Sequence, residues 1–224
     1  MPLSHGVTSE DPIVAYWNGQ SASFDDEPDH GLTDGDARLA WSTRFSDGPP
    51  GGSLAVADLG CGTGPVCLLL AEAGHEVVGV DVSPAMIERA RDKSRAAGAS
   101  IRFEVGDASA PTLDPGTFDV VFARHVIWAL REPTVAFRSW ARLLNDGGRL
   151  VAVEGRWHNA GIGARDLEDL LAPLLRVVEH HPLSDDARLW GRPVSDGRYA
   201  IVATSPARSG DAGQNLGAHR TTGG

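Results

Sequence analysis

Three alternate glycines, Gly60, Gly62 and Gly64, follow a short apolar run and one acid in Val56-Ala-Asp58-Leu-Gly60-Cys-Gly62-Thr-Gly64. Glycine lets backbone approach a ligand where any Cβ would intrude, and Pro65 opens a helix whose free N–H groups point back at the loop. The stretch reads as the strand, turn and helix start of a nucleotide-type site. Further reactive side chains sit at the ends of later apolar runs: Asp81, Asp107, Arg124 with His125, and Glu154. An acid closing the second strand after a glycine loop can accept both hydroxyls of a ribose. His125, and His30 within an acidic stretch, titrate near neutrality and suit a general base, although each could equally be structural. Cys61 and Cys67, one pair at short spacing, form neither a disulfide framework nor a zinc site, and no metal is expected.

The elements that must position these residues alternate. From residue 54 onward, β-like runs at 54–57, 77–82, 101–105, 118–122 and 150–153 are separated by helical patterns. Val66, Leu69, Leu70 and Ala73 mark one helix face, closed by Gly74; Ser83 caps and Pro84 begins the next helix, which runs to Gly98. Phe137, Trp140, Ala141 and Leu144 mark another, ended by Asn145-Asp-Gly-Gly148. A helix near 164–171 and strands at 176–180 and 199–204 complete the pattern, with a polar, turn-rich piece at 182–198. Such repeats imply a parallel sheet covered on both faces, with ligands at the carboxyl ends of its strands.

Residues 1–50 form a helical preface. Asp11-Pro12 starts a short helix carrying Ile13, Tyr16 and Trp17; residues 24–31 read as a loop; Thr33 caps a second helix with Ala37, Ala40, Trp41 and Phe45 at helical spacing. Asp47-Gly-Pro-Pro-Gly-Gly52 is a break, and the polar tail from residue 205 is expected to be disordered. The 224 residues, 42% hydrophobic, suit one globular domain with this preface as a lid. With no apolar run near the roughly 20 residues of a membrane span and no signal-peptide pattern, a soluble cytoplasmic protein is expected. A net charge of −10 argues against nucleic acid. Residues 1–36 hold eight acids and no lysine or arginine, which reads either as a solvated face with helix caps or as an acidic lid favouring cationic ligands.

The glycine spacing separates two ligand classes. A dinucleotide fingerprint requires G-x-G-x-x-G, whereas proline occupies position 65 here. Asp58 would also set a carboxylate beside a pyrophosphate, while the ammonium and sulfonium of a cationic ligand tolerate it.

Asp58-Leu-Gly60-Cys-Gly62-Thr-Gly64, Gly79-Val-Asp81-Val-Ser83-Pro84, Gly106-Asp107-Ala108, Phe118-Asp-Val-Val-Phe122 and Leu144-Asn-Asp-Gly-Gly148-Arg-Leu resemble, in order, the motifs of class I S-adenosylmethionine-dependent methyltransferases. The resemblance covers about residues 54–155 and is nearest to the small-molecule subgroup that includes the ubiquinone and menaquinone C-methyltransferases. Tyr16-Trp17 followed by Phe24-Asp25 is more loosely similar to that subgroup's N-terminal aromatic motif. It implies a Rossmann-like, seven-stranded, mostly parallel α/β sheet over residues 51–205, with S-adenosyl-L-methionine as cofactor. On this resemblance Gly60, Gly62 and Gly64 pass close to the cofactor, Asp58 lies near its ammonium and Asp81 takes the ribose hydroxyls. Val82 lies on the adenine face, Asp107 with the Ala108 N–H reads the adenine edge, the Ala123 carbonyl meets the ammonium, and Tyr16 closes over the whole. Asp58 and Asp107 could instead be caps, and Tyr16 plain packing.

Methyl transfer is a direct displacement, so the protein mainly aligns the reactants and excludes water; a base such as His125 or His30 is needed only for a protonated nucleophile. Trp17, Arg124 and Trp128 are candidate substrate-pocket walls, with Trp157, His158 and Trp190 weaker ones, and Trp128 could simply be core. The small lid, residues 1–50 and 182–198, suits a small organic acceptor of secondary metabolism, with a lean toward amines from its acidity. A homodimer is compatible with the sequence. A non-catalytic cofactor-binding protein and a nicotinamide oxidoreductase are the alternatives.

Overall fold

The computed structural model describes residues 11–46, 52–157 and 160–205. The preface holds α1 (Pro12–Gln20), the single turn α2 (Pro28–Gly31) and α3 (Gly35–Ser46). Then come β1 (Ala55–Leu59), α4 (Pro65–Glu72), β2 (Glu76–Asp81), α5 (Pro84–Ala96), β3 (Arg102–Val105), β4 (Phe118–Arg124), α6 (Pro133–Leu143) and β5 (Leu144–Trp157). The two-residue β6 (Ala160–Gly161), α7 (Ala164–Leu171), β7 (Arg176–Pro182) and β8 (Gly197–Thr204) follow. The sheet order is β3-β2-β1-β4-β5-β8-β7. β1 to β5 run parallel and β8 lies antiparallel between β5 and β7. These are the seven expected strands of a mostly parallel sheet. An eighth, β6, pairs with the end of β5 and is too short to leave a period-two signal.

Alternation along the strands divides the core into two layers. Ala57 and Leu59 of β1, Val121 of β4 and Leu150 of β5 pack with Phe137 and Trp140 of α6 and Leu167 of α7. Val56, Phe122 and Val153, one step out of phase, pack with Trp41 of α3, Leu69 of α4 and Ile87 of α5. Cys67 is the more buried of the two cysteines. No helix among the described residues is long and apolar enough to cross a membrane.

Four local expectations need correction. The cap of α3 is Asp34, not Thr33: its Oδ1 accepts the N–H groups of Asp36 at 3.0 Å and Ala37 at 2.9 Å, and a carboxylate also complements the helix dipole. Residues 24–31 are not a loop but a 3-10 turn at Phe24–Asp26 running into α2. Asn145-Asp-Gly-Gly148 does not separate helix from strand, because β5 already starts at Leu144, opposite Phe118. Leu144 to Arg149 spans five steps on β5 against two from Phe118 to Val120 on β4, so this piece is a bulge, pinned by Asn145 Nδ2 donating to Asp119 at 2.7 Å. Finally, the polar stretch 182–198 buries Leu183, Leu189 and Trp190. Trp41 Nε1 donates to the Leu189 carbonyl and Trp190 Nε1 to that of Leu183, both at 2.9 Å, which fastens the stretch to α3. The break at 47–51, the Phe45 side chain, His158 and the tail 206–224 lie outside the described residues.

The acids of the preface act as a clasp. Asp25 meets Lys93 Nζ at 3.0 Å and Thr63 Oγ1 at 2.5 Å; Asp29 meets Arg198 at 2.9 Å, Asp11 meets Arg131 at 3.6 Å and Glu27 meets Arg192 at 3.9 Å. Asn18 Oδ1 adds hydrogen bonds from Ser83 Oγ and the Ala85 N–H. Four of the N-terminal acids therefore pair with cations of the domain, while Asp26, Asp34 and Asp36 are exposed.

Candidate functional site

The chain leaves β1 for β2 and β3 on one side and returns for β4 and β5 on the other, so a crevice opens between the carboxyl ends of β1 and β4. With the preface across it, this crevice is a cavity of about 1410 Å³. Pockets for one small molecule span roughly 300–1,000 Å³, so this cavity is large enough for two small molecules side by side.

The loops after β1, β2 and β3 build one half. Gly60 has φ +77°, and a Cβ there would come within 2.6 Å of Val126, so only glycine lets the turns after β1 and β4 touch. Gly62 N–H donates to Asp81 Oδ2 and Ser83 N–H to Oδ1, each at 2.9 Å, tying two loops to one buried carboxylate. Burial pushes the Asp81 pKa up and the N–H groups of Ser83, Gly62 and Val82 pull it back. Asp58 lies buried at the cavity floor, where Cys67 Sγ donates to Oδ2 at 3.1 Å and burial pushes the carboxyl up to about 6. Val82 and Ala108 line the same half, as does the exposed Asp107, whose Oδ1 accepts the Ser109 N–H at 2.8 Å. Gly64 and Ala123 do not line the cavity: Gly64 caps α4 against Ala90 and Phe103, and Ala123 is fully buried in the layer beneath α6.

Aromatic side chains build the other half. Tyr16 lies 5.0 Å from Trp17 between ring centroids, Trp17 6.5 Å from Trp128, Trp128 6.2 Å from Trp157, and Trp157 5.1 Å from His125. Tyr16 is 55% exposed and Trp128 42%, so both sit at the rim rather than in the core. His30 stacks on Phe24 at 4.5 Å, and its pKa is lowered by burial.

His125 follows β4 in a left-handed backbone conformation, φ +56°, which costs a non-glycine residue about 1–2 kcal/mol. Its N–H donates to the Val153 carbonyl at 2.9 Å, its carbonyl accepts Trp128 Nε1 at 2.8 Å, and its ring stacks on Trp190 at 5.9 Å. Burial first, and then the charges of Arg124, His30 and Arg198, hold its pKa well below 6.5, so the imidazole is neutral at pH 7. Its Nε2 is buried with no hydrogen-bond partner among the described residues, and the same holds for Arg124 Nη1. Asp29, His30 and His125 bring ligand-type atoms within 4.8 Å of one another, the one such group among the described residues.

Glu154, at the end of the core part of β5, underlies this turn. Its Oε1 accepts the Ile127 N–H at 2.7 Å, and burial pushes its carboxyl up to about 8. A strand-end acid was legible in the sequence, but its partner turn was not. Asp29 and Arg198 left no signal at all, since the residues that give them meaning lie on other elements.

The comparisons with known proteins match this geometry. Residues 57–152 match the family described as Methyltransferase domain. The demethylmenaquinone methyltransferase of Thermus thermophilus is 39% identical over 101 residues, 44% of this chain and 46% of that protein. The 27-O-demethylrifamycin SV methyltransferase of Amycolatopsis mediterranei is 32% identical over 139 residues, 61% of this chain and 48% of that one. The chain thus spans under half the length of these relatives. Among solved structures, the Streptomyces coelicolor geranyl diphosphate C-methyltransferase, bound to S-adenosyl-L-homocysteine, superposes with TM-score 0.64 at 18% identity, covering 75% of this chain and 76% of that one. Residues 57–152 thus form a methyltransferase domain, and the sheet order, glycine loop and strand-end acids around them are those of the class I S-adenosyl-L-methionine-dependent type.

Proposed function

We propose that this protein transfers a methyl group from S-adenosyl-L-methionine to a small-molecule acceptor of secondary metabolism. The observation that carries this reading is a cavity sized for two molecules, with a glycine-and-carboxylate cradle in one half and aromatic rings in the other. Bound there, the cofactor supplies an activated methyl group. Asp58 would face its ammonium, Asp81 would add the ribose hydroxyls to the N–H groups it already holds, Val82 would lie on the adenine, and Asp107 with the Ala108 N–H would read the adenine edge. Gly64 acts through the helix start it caps, Ala123 through its backbone, and Tyr16 at the rim closes the entrance. The aromatic wall excludes water and orients the acceptor. Where the acceptor atom carries a proton, the neutral His125 Nε2 takes it; His30, stacked on Phe24, is the second candidate. The relatives named for demethylmenaquinone, 27-O-demethylrifamycin SV and geranyl diphosphate support small acceptors. The lean toward amines is weakened at Asp11, Asp25, Glu27 and Asp29, which each face an arginine or lysine, while Asp26 lines the cavity with no ion-pair partner among the described residues.

Calorimetry tests the assignment: S-adenosylhomocysteine binds one site per chain and NADH does not, and the reverse result would overturn it. The same titration carries a pH signature. The ammonium prefers Asp58 as a carboxylate, so below pH about 6 a proton must leave before the ligand binds. Affinity is then flat above pH 7 and falls by up to about tenfold per pH unit below 6. In Asp58→Asn this fall disappears.

A further inference from the structure

Charged side chains crowd this part of the cavity. Asp11, Asp26, Glu27, Asp29 and Glu132 line it together with four arginines. Arg131 pairs with Asp11, Arg192 with Glu27, and Arg198 with Asp29 and Asp196. Arg124, among the described residues, has no carboxylate partner in an ion pair. Its Nη2 makes one long hydrogen bond, 3.3 Å, to the His30 carbonyl, its guanidinium carbon lies 5.3 Å from the Trp41 ring centroid, and Nη1 is buried with nothing to donate to. Asp29 and Asp58 bear on its charge without bonding to it, so what Arg124 lacks is an acceptor, and a buried guanidinium N–H without one costs several kcal/mol unless a ligand supplies it.

His125 Nε2 is the second buried nitrogen with no partner in the same wall, at a residue held in a strained backbone conformation. Strain maintained beside a cavity by Glu154 and Val153 is the pattern of a side chain held ready for a ligand. A cation could be considered for Asp29, His30 and His125, but Asp29 is already occupied by Arg198 at 2.9 Å, and the Arg124 charge bears on both histidines. Two guanidiniums beside the group work against a metal ion there, offset in part by Asp29 and Glu27.

Resting on the methyltransferase reading of this site, we propose that the acceptor is a small aromatic acid, its carboxylate held by Arg124 Nη1 and His125 Nε2 and its ring lying among Trp17, Trp128 and Trp157. The guanidinium offers the planar donor geometry a carboxylate fits, and the rings remove water from around the pair. The carboxylate is the handle that positions the acceptor, so the atom that receives the methyl group lies elsewhere on the ring system, toward the glycine loop; with such an acceptor His125 Nε2 carries the hydrogen and donates to the carboxylate, which leaves His30 as the candidate base.

The test uses the full chain saturated with S-adenosylhomocysteine and three probes of one shape: naphthoate, naphthamide and naphthylmethylamine, titrated calorimetrically. Naphthoate binds about tenfold or more tightly than the amide, the amine binds weakest, and Arg124→Gln brings acid and amide to within about twofold. Should that variant not fold, the ranking of the three probes on the unaltered protein decides by itself. An acid bound no tighter than its amide, or a preference that survives Arg124→Gln, overturns the inference while leaving the cofactor assignment standing. Naphthoate binding that EDTA abolishes and a divalent cation restores overturns it in favour of a metal at Asp29, His30 and His125. If S-adenosylhomocysteine itself does not bind, the methyltransferase reading fails first and this inference with it.

Discussion

Asp81→Ala lowers the affinity for S-adenosylhomocysteine by about a hundredfold or more. Two effects combine. On the proposed reading the variant removes a charged acceptor for the ribose hydroxyls, and hydrogen bonds to charged groups contribute about 1.5–3 kcal/mol each. It also leaves the N–H groups of Gly62 and Ser83 without their acceptor, so the glycine loop loses the tie that sets its distance from the second strand. Roughly 3 kcal/mol in total corresponds to a factor near a hundred. Asp81→Asn separates the two: its carbonyl oxygen still accepts one N–H, so the loop stays closer to place and the loss is smaller. Calorimetry on both variants checks this, and an affinity for Asp81→Ala within threefold of the unaltered protein would rule out the ribose role.

The second large effect concerns stability and its pH dependence. Glu154 titrates near 8 in the folded protein against about 4.5 in the unfolded chain, so between these values unfolding releases a proton. The sign follows directly. The group's favourable contribution is fully present below pH 4.5 and is lost as pH rises toward and through 8, at up to about 1.4 kcal/mol per pH unit. Glu154→Gln has no proton to release, and its amide oxygen can still accept the Ile127 N–H. Relative to the unaltered protein the variant therefore gains roughly 3–5 kcal/mol between pH 5 and pH 9, read from urea denaturation at each pH. A difference that stays constant across that range would mean that Glu154 is ionised in the folded state. At pH 5 the variant is no more stable than the parent, because there the protonated acid already satisfies the turn.

This buried acid bears on activity through the turn it holds. Ile127 follows Val126, which abuts Gly60, and precedes Trp128, which walls the acceptor half. A carboxyl at the end of β5 thus sets the contact between the glycine loop and the aromatic wall, so a stability measurement on Glu154→Gln also reports how rigidly the two halves are joined.

Where sequence reasoning succeeded, the signal was local. The strand-to-helix junction at residues 55–65 contains its own glycines and proline; Ser83 caps α5 within three residues of the N–H it accepts, that of Met86. Where it failed locally, a competitor sat next door, as with Asp34 displacing Thr33. The Asn145-Asp-Gly-Gly148 piece carries every mark of a break, and only the neighbouring strand turns it into a bulge.

The sequence by itself determined the order of strands and helices, the two-layer core and the cradle after β1 and β2, because periodicity, caps and glycine conformation act between residues a few positions apart. The tertiary structure alone decided the acceptor half. Asp29 and Arg198 meet across 169 positions, Trp190 slides beneath His125 from a stretch that reads as polar and turn-rich, and Asp11, Asp25, Glu27 and Asp29 of the preface find arginines and lysines. Charge pairing depends on distances between elements, which composition does not contain. It is this pairing that leaves Arg124, among the described residues, without a carboxylate in an ion pair.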